Sequence, residues 1–309
     1  MSNLSLAEAR QQRIESLGFD YKTQPKQLVS HCNLCDQSHF VVLTHCDRYG
    51  FPAQAHGCLN CGLVFLNPVM TANAYQTFYT SIYRPLVSAY HGRRIDAETI
   101  QVEQQVYAVA CANLLAPYMS SNDHSNLLDI GGSTGVVAHY LAQYFGLRTT
   151  VLDPAPLEIE QAQRLGLETI TGLLEDFEPG ERHFDVITLC QTIDHLTDIT
   201  GAMCKIRQLL SPKDLFFVDI VDFRAAYLRN WSVEEAIKID HPFYLTETTM
   251  TTYLLRAGFH ILRVDYAADH LHIGYVCRIA DPVPDYLPPQ HTINSLWQEV
   301  RWVQNMPRG

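Results

Sequence analysis

Leu127-Leu128-Asp129-Ile130-Gly131-Gly132-Ser133-Thr134-Gly135 is an apolar run that breaks into a glycine-rich bend, and the residues that follow, Val136 to Phe145, have a helical spacing that Gly146 closes. A buried strand, a tight turn and a helix account for that order. Glycine belongs in such a turn for two reasons. A side chain there would block backbone approach to a bound ligand, and glycine enters positive φ without steric cost. The middle position of the usual glycine set is Ser133, so the bend taken alone is a weak signal.

Its surroundings strengthen it. Strand-like runs at Asn126–Ile130, Thr149–Leu152, Leu167–Thr171, Phe184–Cys190 and Asp214–Ile220 alternate with amphipathic or turn-rich segments. That alternation predicts an α/β domain whose parallel sheet is covered by helices on both faces. Asp153 ends the second run, 24 positions after Asp129, where an acidic residue accepts the two ribose hydroxyls of a nucleotide. Glu175-Asp176-Phe177 follows the third run, as expected of a loop lining an adenine pocket. A plain structural reading, with the glycines only making a turn and Asp153 only capping the helix begun by Pro154, is the weaker account of the ordered set. A dinucleotide-dependent dehydrogenase would carry Gly-x-Gly-x-x-Gly, which Gly131, Ser133 and Val136 do not supply.

The arrangement resembles class I methyltransferases that depend on S-adenosylmethionine (SAM). Asp129, Gly131 and Gly135 match their first motif, Asp153 their ribose-binding acid, and Phe184-Asp185-Val186-Ile187 their fourth-strand motif. The resemblance runs from about Asn126 to Ile279 and implies a Rossmann-like fold that binds SAM. It assigns cofactor contacts to Asp129, Gly131, Gly132, Gly135 and Asp153, and adenine contacts to Leu174 and Glu175. Leu173 stands where many members place an aspartate.

With 309 residues the chain exceeds the usual single-domain size, so one catalytic domain plus a smaller module is expected. The formal charge of −11 argues against a nonspecific grip on nucleic acid, which Lys and Arg supply through counterion release. Met1 to Asp20 lacks the apolar core of a signal peptide, and no apolar stretch reaches bilayer length. The expected location is the cytoplasm. Nine cysteines in a reducing compartment should be thiols or metal ligands rather than disulfides.

Four of them form two knuckles, Cys32-Asn33-Leu34-Cys35 and Cys58-Leu59-Asn60-Cys61, separated by 22 residues. Two such knuckles complete the tetrahedral thiolate shell of a structural Zn²⁺ site, closed to water. Cys46, Cys111, Cys190, Cys204 and Cys277 are solitary and read as small core residues; His31, His45 and His56 read as surface or supporting groups rather than ligands. The expected organisation is a lead-in over 1–29, a zinc-ribbon-like module over 30–70, a helical connector and lid over 71–120, a SAM domain over 121–280 and a tail over 281–309. In the connector, Tyr107, Ala110, Cys111, Leu114, Leu115 and Tyr118 fall on one helical face, and Ile293–Val303 reads as a short docking helix in the tail.

In an open α/β sheet the reactive centre lies beyond the carboxyl ends of the strands. Gln191-Thr192-Ile193-Asp194-His195 follows the fourth strand, which puts Gln191 and His195 near the expected methyl group; Lys238-Ile239-Asp240-His241-Pro242-Phe243-Tyr244 lies in an insertion after the fifth. Together with the knuckles, Tyr90-His91 and the His272–Arg278 run, these pieces resemble the zinc-containing deoxysugar C-methyltransferases. That resemblance implies His241 as general base beside a ketone, with His195 and Asp240 orienting or polarising a substrate such as a nucleotide sugar. Lys238 stands where that group carries a tyrosine, and the knuckle spacing differs. The plain alternatives are His195 as a helix cap and His241 as a turn residue. The aromatic run Tyr75, Phe78, Tyr79, Tyr83 and Tyr90 reads first as a helix face, with Tyr83 or Arg84 able to reach the methionine carboxylate of SAM. The expected activity is methyl transfer to a small molecule. Its rivals are a tRNA or protein methyltransferase docking through the zinc module, and a non-catalytic SAM-binding protein.

Overall fold

The computed structural model describes residues 5–119 and 125–306. The expected boundary at 120/121, the first four residues of the lead-in and the last three of the tail lie outside the described residues. The chain forms two compact units, and one of them takes Gln101–Asp222 and Leu245–Pro288.

That unit contains α1 (Gln101–Leu115), β1 (Asn126–Ile130), α2 (Val136–Phe145), β2 (Arg148–Asp153), α3 (Pro156–Arg164), β3 (Glu168–Thr171), β4 (Val186–Leu189), α4 (Ile199–Leu209), β5 (Leu215–Val221), α5 (Glu247–Ala257), β6 (Phe259–Tyr266) and β7 (His272–Ile279). Its seven-stranded sheet has the order β6-β7-β5-β4-β1-β2-β3, and β7 pairs antiparallel with both neighbours while the pairs from β5 to β3 are parallel. This is the expected Rossmann-like α/β architecture. Every residue of β4 and all but the last of β5 are buried, as apolar strands covered on both faces should be. Gly146 ends α2 in the left-handed conformation, and Gly258 does the same for α5, whose Thr246 caps the other end. The chain leaves β1 for β2 and β3 on one side and returns to β4 on the other, so the carboxyl ends of β1 and β4 flank the crevice where ligands bind in such sheets.

The inner face of α1 differs from the sequence expectation at one position. Ala110 faces solvent, and Ala108 and Ala112 are buried with Cys111, Leu114 and Leu115. Ala108, Cys111, Ala112 and Leu115 also follow the i, i+3, i+4, i+7 period, so spacing could not choose between the two readings.

The other unit is assembled from three stretches of chain: the residues up to Ile100, Phe223–Tyr244, and those from Pro289 onward. Strands Phe40–Thr44, Ala55–Cys58 and Val64–Leu66 form an antiparallel sheet, and its fourth strand, Phe243–Tyr244, comes from the insertion after β5 and pairs with Phe65 and Val64. The C-terminal helix, Gln290–Gln304, packs on the same sheet. Its Trp297 ring lies where a Cβ on Gly57 would fall, 2.3 Å away, and Ile293 and Leu296 close over Gly62. Tyr21, Leu66, Met70, Phe78, Leu86 and Tyr227 fill a common core with them. Among the described residues no helix is long and apolar enough to cross a membrane.

The contact at Gly57 gives a direct test of this packing. Gly57→Val should lower stability by about 1–3 kcal/mol through overpacking against Trp297, read as a drop in the urea midpoint; an unchanged midpoint would show that the ring moves aside freely.

Candidate active site

β1 ends at Ile130 and the chain bends at once. Gly131 and Gly135 sit at φ +68° and +75°, with Ser133 between them at +51°, so alternate residues are left-handed. None of the three glycines has room for a side chain. A Cβ on Gly131 would lie 2.3 Å from the Thr192 methyl, one on Gly132 2.5 Å from Asp129 Oδ2, and one on Gly135 2.8 Å from Ala162 and Leu167. Close packing within the protein therefore demands glycine here, besides any need for ligand approach. Ser133 takes a left-handed conformation without being glycine, at a cost of about 1–3 kcal/mol. Its N–H donates to Asp153 Oδ2 at 2.9 Å, which holds the bend against β2.

Asp153 is the last residue of β2 and is buried. Besides the Ser133 bond, its Oδ1 accepts the Ala155 N–H at 2.8 Å, so both oxygens are fixed in place and each keeps acceptor capacity for a hydroxyl. Asp129 is fully buried one strand away. Its Oδ1 accepts the Thr188 hydroxyl at 2.7 Å, and its Oδ2 has no hydrogen-bond partner, nor does the buried Ser133 Oγ. Burial pushes the Asp129 carboxyl up to about 7, and the Thr188 bond pulls it the other way. Two orphan polar atoms beside a fixed carboxylate suit a ligand that brings both hydroxyl and ammonium groups, and SAM is one. After β3, Leu174 is buried in a turn, whereas Glu175 is exposed and its carbonyl accepts Lys205 Nζ at 2.8 Å.

Past β4 the chain bends again. Gln191 stands at φ +49° with its side chain exposed, and the Thr192 hydroxyl donates to the Cys190 carbonyl at 2.8 Å. His195 ends a single 3₁₀ turn, Ile193–His195, which its N–H closes on the Thr192 carbonyl at 2.9 Å. Asp219, unmarked in the sequence, and Tyr107, read there only as part of a helical face, both bear on this loop. The one available signal was an aspartate inside the apolar run Leu215–Val221. Gly131, Gly132, Gly135, Asp129, Asp153 and Gln191 are thus gathered around the carboxyl ends of β1, β2 and β4.

In the other unit the four knuckle cysteines converge. Cys32 and Cys61 Sγ are 3.5 Å apart, as are Cys35 and Cys58, and all four are buried. Tetrahedral thiolates around Zn²⁺ at about 2.3 Å would stand about 3.8 Å from each other. The two knuckles share one backbone pattern. Asp36 and Gly62, each just past the second cysteine, are left-handed and donate N–H to the Cys32 and Cys58 carbonyls at 2.9 and 3.0 Å. Crowded against its fellow sulfurs, Cys32 is held well above the ordinary thiol range, as is Cys61, while Cys35 is held well below it. Four cysteines so close could hold a metal ion, releasing their protons as they bind it. His31, His45 and His56 pair instead with Ser30 and Gln54.

Also in that unit, Lys238 Nζ lies 2.9 Å from His241 Nε2, and Asp240 Oδ2 stands 3.8 and 3.4 Å from those two atoms. The Tyr79 hydroxyl donates to the Asp240 carbonyl at 2.5 Å, and Asp47 accepts the Ile239 N–H at 3.0 Å. Tyr83 opens the helix Tyr83–His91, with the Tyr79 ring 5.6 Å and the Arg84 guanidinium 5.2 Å from its own.

Residues 102–264, more than half of the chain, match the methyltransferase domain family, and the chain belongs to it. It carries the Rossmann-like methyltransferase fold. Over 97 residues it is 30% identical to the ubiquinone biosynthesis O-methyltransferase of Methylocella silvestris, a stretch covering 29% of this chain and 38% of that enzyme. Its fold is that of magnesium protoporphyrin IX methyltransferase from Synechocystis PCC 6803, solved with SAH bound, with a TM-score of 0.54 at 11% identity over 68% of this chain and 100% of that one. Mitomycin 7-O-methyltransferase superposes with a TM-score of 0.50 at 19% identity over 67% of this chain and 60% of that one.

The raised Asp129 carboxyl has a consequence for stability. Its folded value of about 7 lies above the ordinary 3.8, so its contribution is complete below pH 3.8 and is lost as the pH rises through about 7. Asp129→Asn, which stays neutral, should therefore gain on the ligand-free wild type in urea midpoint as the pH climbs across that window. A constant gap between the two would mean that Asp129 is already ionised at its lower end.

Proposed function

We propose that the enzyme transfers the SAM methyl group to a carbon or oxygen of a small-molecule acceptor, with a histidine as general base. The observation that carries the cofactor half of this reading is the Asp153 carboxylate, fixed by two backbone N–H groups at the rim of the crevice. When bound, SAM supplies an electrophilic methyl on a sulfonium. Asp153 would accept the ribose hydroxyls, and the bend Gly131-Gly132-Ser133-Thr134-Gly135 with Asp129 would receive the methionine end. Leu174 and Glu175 would border the adenine, and Tyr83 is the assigned carboxylate contact. Gln191 would border the methyl group. Such a site works mainly by alignment, which removes the entropic cost of bringing two reactants together.

Two histidines are candidates for the base. His195 lies on the loop after β4, and His241 lies between a lysine and a carboxylate in the other unit. Imidazole suits proton abstraction because it titrates near neutrality. A keto-sugar nucleotide is the acceptor class that the deoxysugar resemblance favours. We further assign Cys32, Cys35, Cys58 and Cys61 to one structural Zn²⁺, the five-part division of the chain given above to its domains, and the cytoplasm to its location, where nine reduced thiols are stable. With a formal charge of −11, a nucleic-acid acceptor is the weaker choice.

Asp153→Ala should abolish calorimetric binding of SAH to the purified chain; wild-type affinity would sink the cofactor assignment. His241→Ala should leave SAH affinity within about twofold, because it removes no cofactor contact. In a screen of keto-sugar nucleotides with labelled SAM, the same variant should lower turnover by about 10²-fold or more. Equal loss of binding and turnover would remove His241 from the role of base. Cys58→Ser should release zinc and lower the melting temperature, and one retained zinc per chain would refute the four-thiolate site.

A further inference from the structure

Gln191 occupies a conformation that its side chain disfavours, φ +49°, and something must hold it there. Its N–H donates to Asp219 Oδ1 at 2.6 Å. Asp219 sits in β5 and is 2% exposed. Burial pushes its carboxyl up, and the Gln191 and Tyr107 bonds pull it down together with the charge of His272. The second oxygen accepts the Tyr107 hydroxyl at 3.0 Å. Both donors therefore point at one buried carboxylate, an arrangement that is stable only while both remain in place.

Tyr107 belongs to α1, and three residues earlier on the same helix face the Gln104 side-chain carbonyl accepts the Thr134 hydroxyl from the glycine bend. The two loops that flank the crevice are thus tied to a single helix. They also touch each other. The Thr192 hydroxyl lies 3.3 Å from the Gly131 carbonyl, and its methyl occupies the space a Gly131 side chain would need. A shift at Gln191 is passed through the peptide bond to Thr192 and from there to the bend.

We infer that Asp219, anchored by Tyr107, is a positioning residue of the cofactor site: it locks Gln191 in the left-handed conformation and so keeps Thr192 seated against the glycine bend. The inference rests on the reading that this bend holds SAM. Asp219 touches no ligand itself. It acts through the backbone of Gln191, and glycine at 191 should make the lock unnecessary, because glycine enters that region freely.

The test is calorimetric, with SAH as the probe and the full chain as the protein. Asp219→Ala should weaken SAH binding about tenfold, the size expected when a hydrogen bond to a charged group is lost. Adding Gln191→Gly to Asp219→Ala should restore most of that loss. Asp219→Asn, which keeps an acceptor for the Gln191 N–H, should stay within about threefold of wild type. In ¹H–¹⁵N spectra the Gln191 amide proton should lie far downfield in the wild type and move upfield in Asp219→Ala. Unchanged SAH affinity in Asp219→Ala, or a loss that Gln191→Gly does not recover, overturns the inference, since a merely structural defect gives no such rescue. If Asp219→Ala does not fold, Tyr107→Phe with and without Gln191→Gly gives the same reading, with loss and recovery expected in the same directions. Asp153→Ala separates the two levels. If it loses SAH while Asp219→Ala keeps it, only the positioning role falls; if it binds SAH as the wild type does, the cofactor reading falls first.

Discussion

There is no room under the bend between β1 and α2. Three glycines lie where any Cβ would strike Thr192, Asp129 or the pair Ala162 and Leu167, so the bend can pass only as bare backbone. From that crowding the rest of the site follows. The bend presses against β2 closely enough for the Ser133 N–H to reach Asp153 and against the next loop through Thr192, while just before it Asp129 meets Thr188 across the β1–β4 pair. A looser turn would leave Asp153 free to rotate, and a carboxylate that rotates selects a pair of hydroxyls poorly.

Crowding has a cost in polar groups as well. Asp129 Oδ2 and Ser133 Oγ are buried with no hydrogen-bond partner, an arrangement that a protein without a ligand gains nothing by keeping. Groups of that kind call for an explanation, and a bound ligand that brings donors is one. The four sulfurs of the other unit are crowded in the same way, with Cys32 and Cys61 Sγ 3.5 Å apart and Cys35 and Cys58 likewise.

Much of the SAM-binding unit could be read in the sequence. Three of its strands are closed or followed by Gly131, Asp153 and Gly172, and α2 and α5 stop at Gly146 and Gly258 because the left-handed cap calls for glycine. Local chemistry of that kind leaves its mark on neighbouring residues. Distant pairing does not. Phe243-Tyr244 is too short to show any period, yet it completes a sheet with Val64 and Phe65, and nothing near it in the chain announces that partner. Asp36 in a left-handed knuckle turn is likewise silent, because aspartate occurs in many other conformations. Asp219 is a single acid inside an apolar strand, and its use emerges only when Gln191 and Tyr107 are brought to it. The residues of the glycine bend and the strand ends were legible to the extent that they form a motif, and the residues that support them were not.

The unit that holds the cysteines draws on three separate stretches of the chain, and its last helix, Gln290–Gln304, covers Gly57 and Gly62 beside the knuckles. During synthesis those stretches leave the ribosome in order, with the entire parallel sheet translated between the first and the last. The surface awaiting Trp297 therefore stays bare until the helix Gln290–Gln304 has been made. Contacts of such long sequence separation form slowly, and exposed apolar surface invites aggregation meanwhile. The knuckles, by contrast, need nothing beyond Cys61 to bring their four sulfurs together, which would give the nascent segment an early fixed point while it waits for its cover.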